Sequence, residues 1–173
     1  MIIRSLPACA ALILAVALTA CSPRYNWRDY ASPDASYRVT FPAKPTTFTR
    51  DIDLDGMPVT MTMTAAEVDG ATFAVGTAQA PDAAHAQAAL EAIRIALLRN
   101  IGAADQVAQA TATSGQQMSI DVDATGQARG EPMRLIGRLE TRGKRVYQVI
   151  VMGSPRAMPS EQIEQFLTSF KAH

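Results

Sequence analysis

A residue alternation with period two recurs along this 173-residue chain and most narrows the folds open to it. From Tyr37 to Phe41 apolar and polar residues alternate and Pro42 closes the segment, which is typical of a half-buried strand. The pairs Asp55-Gly56 and Asp69-Gly70 are strong hairpin signals, because Gly accepts positive φ without steric cost. The strand between them carries Val59, Met61, Met63 and Ala65 on one face and Thr60, Thr62 and Thr64 on the other.

Further strands are predicted on both sides of a helical segment. They cover Thr72 to Ala78, Val107 to Thr113, Gln117 to Thr125, Met133 to Thr141 and Arg145 to Met152, with Arg142-Gly143-Lys144 as the last turn. Val146 to Met152 is apolar on both faces apart from Gln148. This pattern predicts the central strand of a sheet that is covered on both sides.

Two helices are predicted to cover the strands. Asp82 can cap the first, and Gly102 is placed to end it. The second begins near Pro159, with Glu161 and Glu164 in its first turns. Their apolar faces consist of Leu90, Ile93, Leu97 and Ile101 in the first and Ile163, Phe166, Leu167 and Phe170 in the second. We therefore expect an α+β fold, an antiparallel β-sheet with two main helices packed on it.

Two segments carry a resemblance to a known fold family. Arg145-Val146-Tyr147-Gln148-Val149-Ile150-Val151-Met152-Gly153, followed by Phe166-Leu167-Thr168-Ser169-Phe170, looks like the closing strand and helix of PsbP-like and Mog-type α/β/α sandwiches. The early Tyr37-Arg38-Val39-Thr40-Phe41-Pro42 and the order of strands and helices agree with it. The resemblance covers most of residues 27 to 171 through core positions, and it implies accessory or assembly roles.

The pattern of the amino-terminal residues predicts that the protein is attached to a membrane. Arg4 precedes an apolar run from Leu6 to Leu18, which is shorter than the ~20 residues of a spanning helix. Leu18-Thr19-Ala20-Cys21 resembles the lipobox of bacterial lipoproteins, which implies cleavage before Cys21, a diacylglycerol on its sulfur and an acyl chain on its nitrogen. The alternative is an ordinary secretory signal that is cleaved after Ala20.

The lipobox resemblance divides the chain into three parts. Residues 1–20 would be the signal peptide, 21–30 a short membrane tether and 31–171 a single domain. Two acyl chains would hold the mature protein stably at a membrane. Ser22 rather than Asp follows the cysteine, and by the enteric sorting pattern this favours the outer membrane, facing the periplasm.

Composition limits partners and chemistry. The chain has 16 Lys and Arg against 16 Asp and Glu, and this balance gives no electrostatic case for nucleic acid as a partner. Cys9 would leave with the signal and lipid would occupy Cys21. The domain would then have no disulfide and no thiolate metal ligand.

Two motifs partly match metal sites. Asp51-Ile52-Asp53-Leu54-Asp55-Gly56 imitates the opening of an EF-hand calcium loop, yet Thr62 stands at its twelfth position and Pro58 intrudes. Met61 and Met63 could offer thioethers to copper(I), but no histidine adjoins them. We interpret these motifs as a hairpin with outward acids and as core packing, and we predict no metal and no cofactor.

Catalytic arrangements are equally sparse. His85 lies in the first turn of a helix, where we expect it to be solvated, and the other histidine left after the signal is His173. No nucleophile elbow, zinc-binding helix motif or phosphate-binding glycine loop occurs. Asp121 and Asp123 share a strand face, as do Arg134 and Arg138, with further charges at Arg129, Glu131, Glu140, Arg142, Lys144 and Arg145. Nothing in the sequence indicates that the aspartates are buried, as a catalytic carboxylate pair would require. The arginines could contact lipid headgroups or an acidic protein, but we interpret them as part of a mixed surface charge, and we predict no catalytic residues.

These observations favour a lipid-anchored cell-envelope lipoprotein that acts as a non-enzymatic binding or assembly accessory protein. Its expected partners are the membrane, through the lipid anchor, and another envelope protein. The alternative is a small-ligand binder or weak hydrolase with a cleft between sheet and helix. A cluster of buried polar side chains on the sheet face would favour the alternative.

Overall fold

The computed structural model describes residues 24–54, 56–103 and 117–173, together with the backbone of residues 110–111. The first half of this part contains strands β1 (Arg28–Ala31), β2 (Tyr37–Phe41), β3 (Thr46–Leu54), β4 (Met57–Val68) and β5 (Ala71–Gln79), followed by helix α1 (Ala83–Asn100). The second half contains β6 (Ala110–Thr111), β7 (Ser119–Ala128), β8 (Glu131–Arg142), β9 (Arg145–Gly153), a 3-10 turn (Pro155–Ala157), helix α2 (Ser160–Ser169) and β10 (Lys171–Ala172).

A large antiparallel sheet forms the middle layer of the domain. Its seven strands have the order β3-β4-β5-β9-β8-β7-β6. Strand β9 lies at the centre between β5 and β8, as the two-sided apolar pattern predicts. The predicted turns at Asp69-Gly70 and at Gly143 join neighbouring strands, and both Asp69 and Gly70 have positive φ. The predicted α+β class, with antiparallel strands and two main helices, is therefore confirmed.

A second, smaller sheet has the strand order β1-β2-β10, and its strands are not hydrogen-bonded to those of the large sheet. The strand predicted at Tyr37–Phe41 exists, but it belongs to this second sheet. The outer strands β1 and β10 were not predicted, because they are short and their residues do not alternate between apolar and polar. Within the expected tether, Tyr25 and Trp27 pack against the core, and β1 begins at Arg28.

Helix α1 covers one face of the large sheet. Asp82 caps its amino end by accepting a hydrogen bond from the backbone N–H of His85, as predicted. The helix buries Leu90, Ile93 and Leu97 against the sheet, and this core continues through Ile101. Gly102 follows with φ +68°, so a residue without a Cβ ends the helix where it turns towards β7.

Helix α2 and the small sheet cover the opposite face. Phe166 of α2 is fully buried, and its ring contacts Phe41 of β2 and Phe73 of β5, with ring centroids 5.4 Å apart in both pairs. Tyr147 of the central strand packs edge-on against Tyr37. The result is a three-layer arrangement in which the sheet has an aliphatic core on the α1 side and an aromatic core on the α2 side.

Three predicted features lie partly or wholly outside the described residues. Of the strand expected at Val107 to Thr113, only β6 lies within it. Asp55 and the lipobox with Cys21 lie outside it. Neither α1 nor α2 combines the length and apolarity needed to cross a membrane, and they are the two α-helices of the described ranges.

Candidate functional site: a threonine cleft between the two sheets

Threonines on neighbouring strands stand side by side on the α2-side face of the large sheet. Thr47 is opposite Thr64 and Thr49 is opposite Thr62 in the β3–β4 register, and the hydroxyl oxygens of these pairs are 3.0 and 2.9 Å apart. Thr62 is in turn opposite Thr77 of β5. We call Thr47, Thr49, Thr60, Thr62, Thr64 and Thr77 the threonine ladder. The ladder forms because alternate residues of each strand share a face.

The loop between β1 and β2, residues 32–36, faces part of this ladder across a cavity. The threonines on its other side are Thr47, Thr60, Thr62 and Thr77. The Tyr147 hydroxyl donates a hydrogen bond of 2.7 Å to the carbonyl of Ala35, and this bond ties the loop to the central strand. Within the loop, the backbone N–H of Ala35 donates to Ser32 Oγ at 3.1 Å. The loop therefore has a defined conformation above the threonines.

The space between loop and ladder is a cavity of about 150 Å³. Tyr30, Ser32, Asp34 and Tyr37 line it from the small sheet and its loop, and Thr47, Thr60, Thr62, Thr77, Gln79 and Arg145 line it from the large sheet. We call this space the threonine cleft. At about 30 Å³ per liquid water molecule, it has room for roughly five waters or one small ligand.

Burial sets the protonation of two tyrosines that contact each other beside the loop, Tyr37 and Tyr147. Burial raises the pKa of Tyr37 to about 12, although a hydrogen bond with Thr64 acts in the opposite direction. Burial also raises the pKa of Tyr147. Both phenols therefore stay protonated at neutral pH and serve as hydrogen-bond donors rather than as general bases.

The predicted charge pairs form a second ladder on the same face, towards the other edge of the sheet. Arg134 donates to Asp123 at 3.0 and 2.9 Å, and Arg138 donates to Asp121 at 2.7 and 3.2 Å. These bonds raise the pKa of both guanidinium groups. We call the four residues the ion-pair ladder. Since its charges neutralise one another across β7 and β8, it offers neither a basic patch nor a carboxylate pair.

The calcium-like segment serves its own hairpin. Asp51 accepts a hydrogen bond of 2.6 Å from Thr60 Oγ1, and Asp53 accepts one of 2.7 Å from the backbone N–H of Gly56. Asp55 lies outside the described residues. Across the described ranges, no three His, Cys, Asp or Glu residues come close enough to hold a metal ion.

The methionine pair lies on the α1 side of the large sheet. Met61 is buried, and Met63 Sδ accepts a hydrogen bond of 3.1 Å from Gln148 Nε2. Gly76 makes room for this contact, because a Cβ there would lie 2.6 Å from the Met63 sulfur. The thioethers are thus part of core packing, and Met63 is hydrogen-bonded to Gln148 of the central strand.

His85 acts with Asp82 at the start of α1. Its Nδ1 lies 2.8 Å from Asp82 Oδ2, and its backbone N–H donates to Oδ1 at 2.9 Å. These contacts lower the pKa of the Asp82 carboxyl. The histidine is exposed, as predicted, and its contacts belong to a helix cap.

Two recesses between sheet and helix were candidates for the expected cleft. One of about 290 Å³ lies beside α2 and includes Asp121 and Arg138, which already bind each other. Another of about 570 Å³ lies between α1 and the end of β3. Alanine, leucine and isoleucine make up five of its eight lining residues, and Glu91 among the others is paired with Arg94. The threonine cleft brings more hydroxyl-bearing residues together, and it lies between the two sheets instead.

Sequence reasoning found the threonine face of β4 but assigned it no role. The signal was available in the alternation of Thr47 and Thr49 on β3, which repeats that of Thr60 and Thr62 on β4. No sequence signal indicated the loop above these threonines. The contact that holds the loop, from Tyr147 to Ala35, joins residues 112 positions apart.

Comparison with known proteins leaves the family of this chain unassigned. No protein-family model matches the sequence, and no curated protein matches it significantly. Among solved structures, the chain is similar to a protein from Bacteroides thetaiotaomicron VPI-5482 whose crystal structure was determined at 1.50 Å resolution. The two share 14% identity with a TM-score of 0.48, over 84% of this chain and 48% of the other. This chain thus spans about half the length of that protein, and the likeness carries no functional argument.

Proposed function

We propose that this protein is a lipid-anchored cell-envelope lipoprotein that binds a small ligand in the threonine cleft without transforming it. The carrying observation is the cleft itself, where hydroxyl-bearing residues from both sheets line one cavity. Buried polar residues on that face, Thr64 and Thr77, favour ligand binding over a flat protein-binding patch. Burial keeps Tyr37 at the cleft protonated, so that it is a hydrogen-bond donor rather than a general base.

The proposed membrane location rests on the sequence. Leu18-Thr19-Ala20-Cys21 supports lipidation at Cys21, and Ser22 supports an outer-membrane location on the periplasmic side. Tyr25 already packs against the domain, so at most about 14 Å of chain separates Cys21 from the folded part. The domain then works close to the bilayer surface.

A finer fold assignment is part of the proposal. We propose that the domain is a PsbP-like or Mog-type sandwich. Its support is the resemblance in Arg145 to Gly153 and in Phe166 to Phe170, which correspond to the central strand β9 and the end of α2. This assignment leaves the ligand open.

A second candidate function is that of an assembly factor that binds another envelope protein. Its support is the edge strand β3, which is exposed from Thr46 to Asp51 and whose Phe48 has half of its surface in solvent. An exposed strand edge can pair with an extended segment of a partner. Crosslinking in intact cells, followed by identification of the captured protein, tests this role.

Lipidation is tested by labelling cells with palmitate. We expect the label to enter the wild-type protein and to be lost from the Cys21→Ala variant. Label that persists in the variant would refute the anchor.

Ligand binding is tested on the full-length protein purified from its own membranes. Small molecules released on denaturation are identified by mass spectrometry, and wild type is compared with Thr62→Tyr, which fills the cleft. Thr168→Tyr, beside the α2 recess, is the matched control. We expect a copurifying molecule in wild type and control but not in Thr62→Tyr. A molecule retained equally by all three, or no molecule in any, contradicts binding in the cleft.

A further inference from the structure

The chemistry of the threonine cleft narrows its ligand class, provided that the proposed binding function holds. Hydroxyl-bearing residues line much of the cavity, among them Tyr30, Ser32, Thr47, Thr60, Thr62 and Thr77. Each hydroxyl has one donor and two acceptor positions. A ligand whose own groups are also hydroxyls matches such a wall best, because every contact can run in either direction.

The ladder bonds leave part of this capacity unused. In the Thr49–Thr62 pair, one hydroxyl donates to the other, so one donor and several lone pairs of the pair remain for other partners. Thr60 uses its donor on Asp51 and keeps both acceptor positions. The cleft therefore presents donors and acceptors together, rather than a set of donors alone as an anion site would.

The charges at the cleft balance. Arg145 and Asp34 are its lining residues of opposite sign, and within the described part of the chain neither forms an ion pair. Arg145 Nη2 donates to Gln79 Oε1 at 3.2 Å and keeps further N–H groups. A cation and an anion at one small site favour an uncharged ligand that can bind both.

The cleft also lies far from the amino-terminal end of the domain. Arg24 forms an ion pair with Asp69, which stands just before the start of β5. Thr77 and Gln79, at the other end of β5, line the cleft. Nine residues of strand span about 27 Å. If Cys21 carries the lipid, the cleft is on the aqueous side of the domain.

From these four observations we infer that the threonine cleft binds a small, uncharged, polyhydroxylated ligand of the monosaccharide class, which it takes from the aqueous phase rather than from the bilayer. The cavity of about 150 Å³ limits the bound part to about one sugar ring.

The test is isothermal titration of the full-length protein in detergent micelles. The probes are D-glucose, D-galactose and D-mannose, with D-gluconate as the anionic counterpart and phosphatidylglycerol vesicles as the lipid. We expect at least one neutral hexose to bind. Thr62→Val should weaken it about three- to tenfold, the effect of one lost hydrogen bond, while Thr168→Val leaves it unchanged.

The outcomes separate this inference from the binding function on which it rests. Binding of gluconate or vesicles but of no neutral hexose overturns the ligand class. If no hexose binds although a copurified molecule is lost from Thr62→Tyr alone, the binding function stands and the ligand class falls. If no molecule copurifies and no probe binds, both fall.

Discussion

The two ladders on the α2-side face of the large sheet differ in what they leave available. In the ion-pair ladder, two guanidinium groups and two carboxylates bind each other through two hydrogen bonds per pair, and both charges are neutralised. In the threonine ladder, each paired hydroxyl keeps donor or acceptor capacity, and a loop encloses part of it as a cavity. Cross-strand polar pairs of similar geometry thus leave paired charges on the surface towards one edge of the sheet and line a cavity towards the other.

The aromatic core between the ladders should give the largest effect. Phe166→Ala removes a fully buried ring that contacts Phe41 and Phe73, and we expect it to lower the free energy of unfolding by about 3–5 kcal/mol. Urea denaturation measures the loss. If the loss stays under about 1 kcal/mol, the layer that separates the ladders is not well packed.

The bond that ties the loop to the sheet ranks second. Tyr147→Phe leaves the Ala35 carbonyl without its donor, at an expected cost of about 1–3 kcal/mol. Hydrogen exchange of residues 32–36 should rise in the variant. Tyr25→Phe, at a half-buried ring stacked on Trp27, is the control and should change neither quantity. Unchanged exchange in Tyr147→Phe would mean that other contacts hold the loop.

A buried member of the threonine ladder should have a smaller effect. Thr64→Val keeps the side-chain shape but removes a buried hydroxyl that bonds to Thr47, and we expect a loss of about 0.5–1.5 kcal/mol. Thr49→Val, at an exposed position of the same ladder, should cost less. Equal losses for the two variants would show that burial does not determine how much a threonine of this ladder contributes to stability.

The ion-pair ladder should give the smallest effect. Arg138 and Asp121 are both about half exposed, so Arg138→Ala should cost no more than about 1 kcal/mol. The loss should shrink further as salt is raised from 0.1 to 1 M, because salt screens exposed pairs. A loss of several kcal/mol that is insensitive to salt would place this ladder in a buried environment and remove the contrast between the two.

Local signals in the sequence predicted much of the fold. The alternation in Val146 to Met152, the Asp82 cap and the Asp69-Gly70 turn are decided by residues close together in the chain, and the structure contains all three. The small sheet was missed because β10 has two residues and pairs with Arg38 and Tyr37, far away in sequence. Pairing of this kind depends on the packing of α2, which no local pattern records.

The sequence by itself determined the order of the main strands and helices and the strand faces, and it predicts lipidation at Cys21. Only the tertiary structure decided which faces would be covered, and with what. The alternation predicts Thr62 and Asp121 alike as outward polar residues of a sheet, yet the β1–β2 loop lies over the first, while the second meets Arg138 in solvent. The physical reason is that strand alternation specifies a side of the sheet, whereas burial on that side depends on layers contributed by distant parts of the chain.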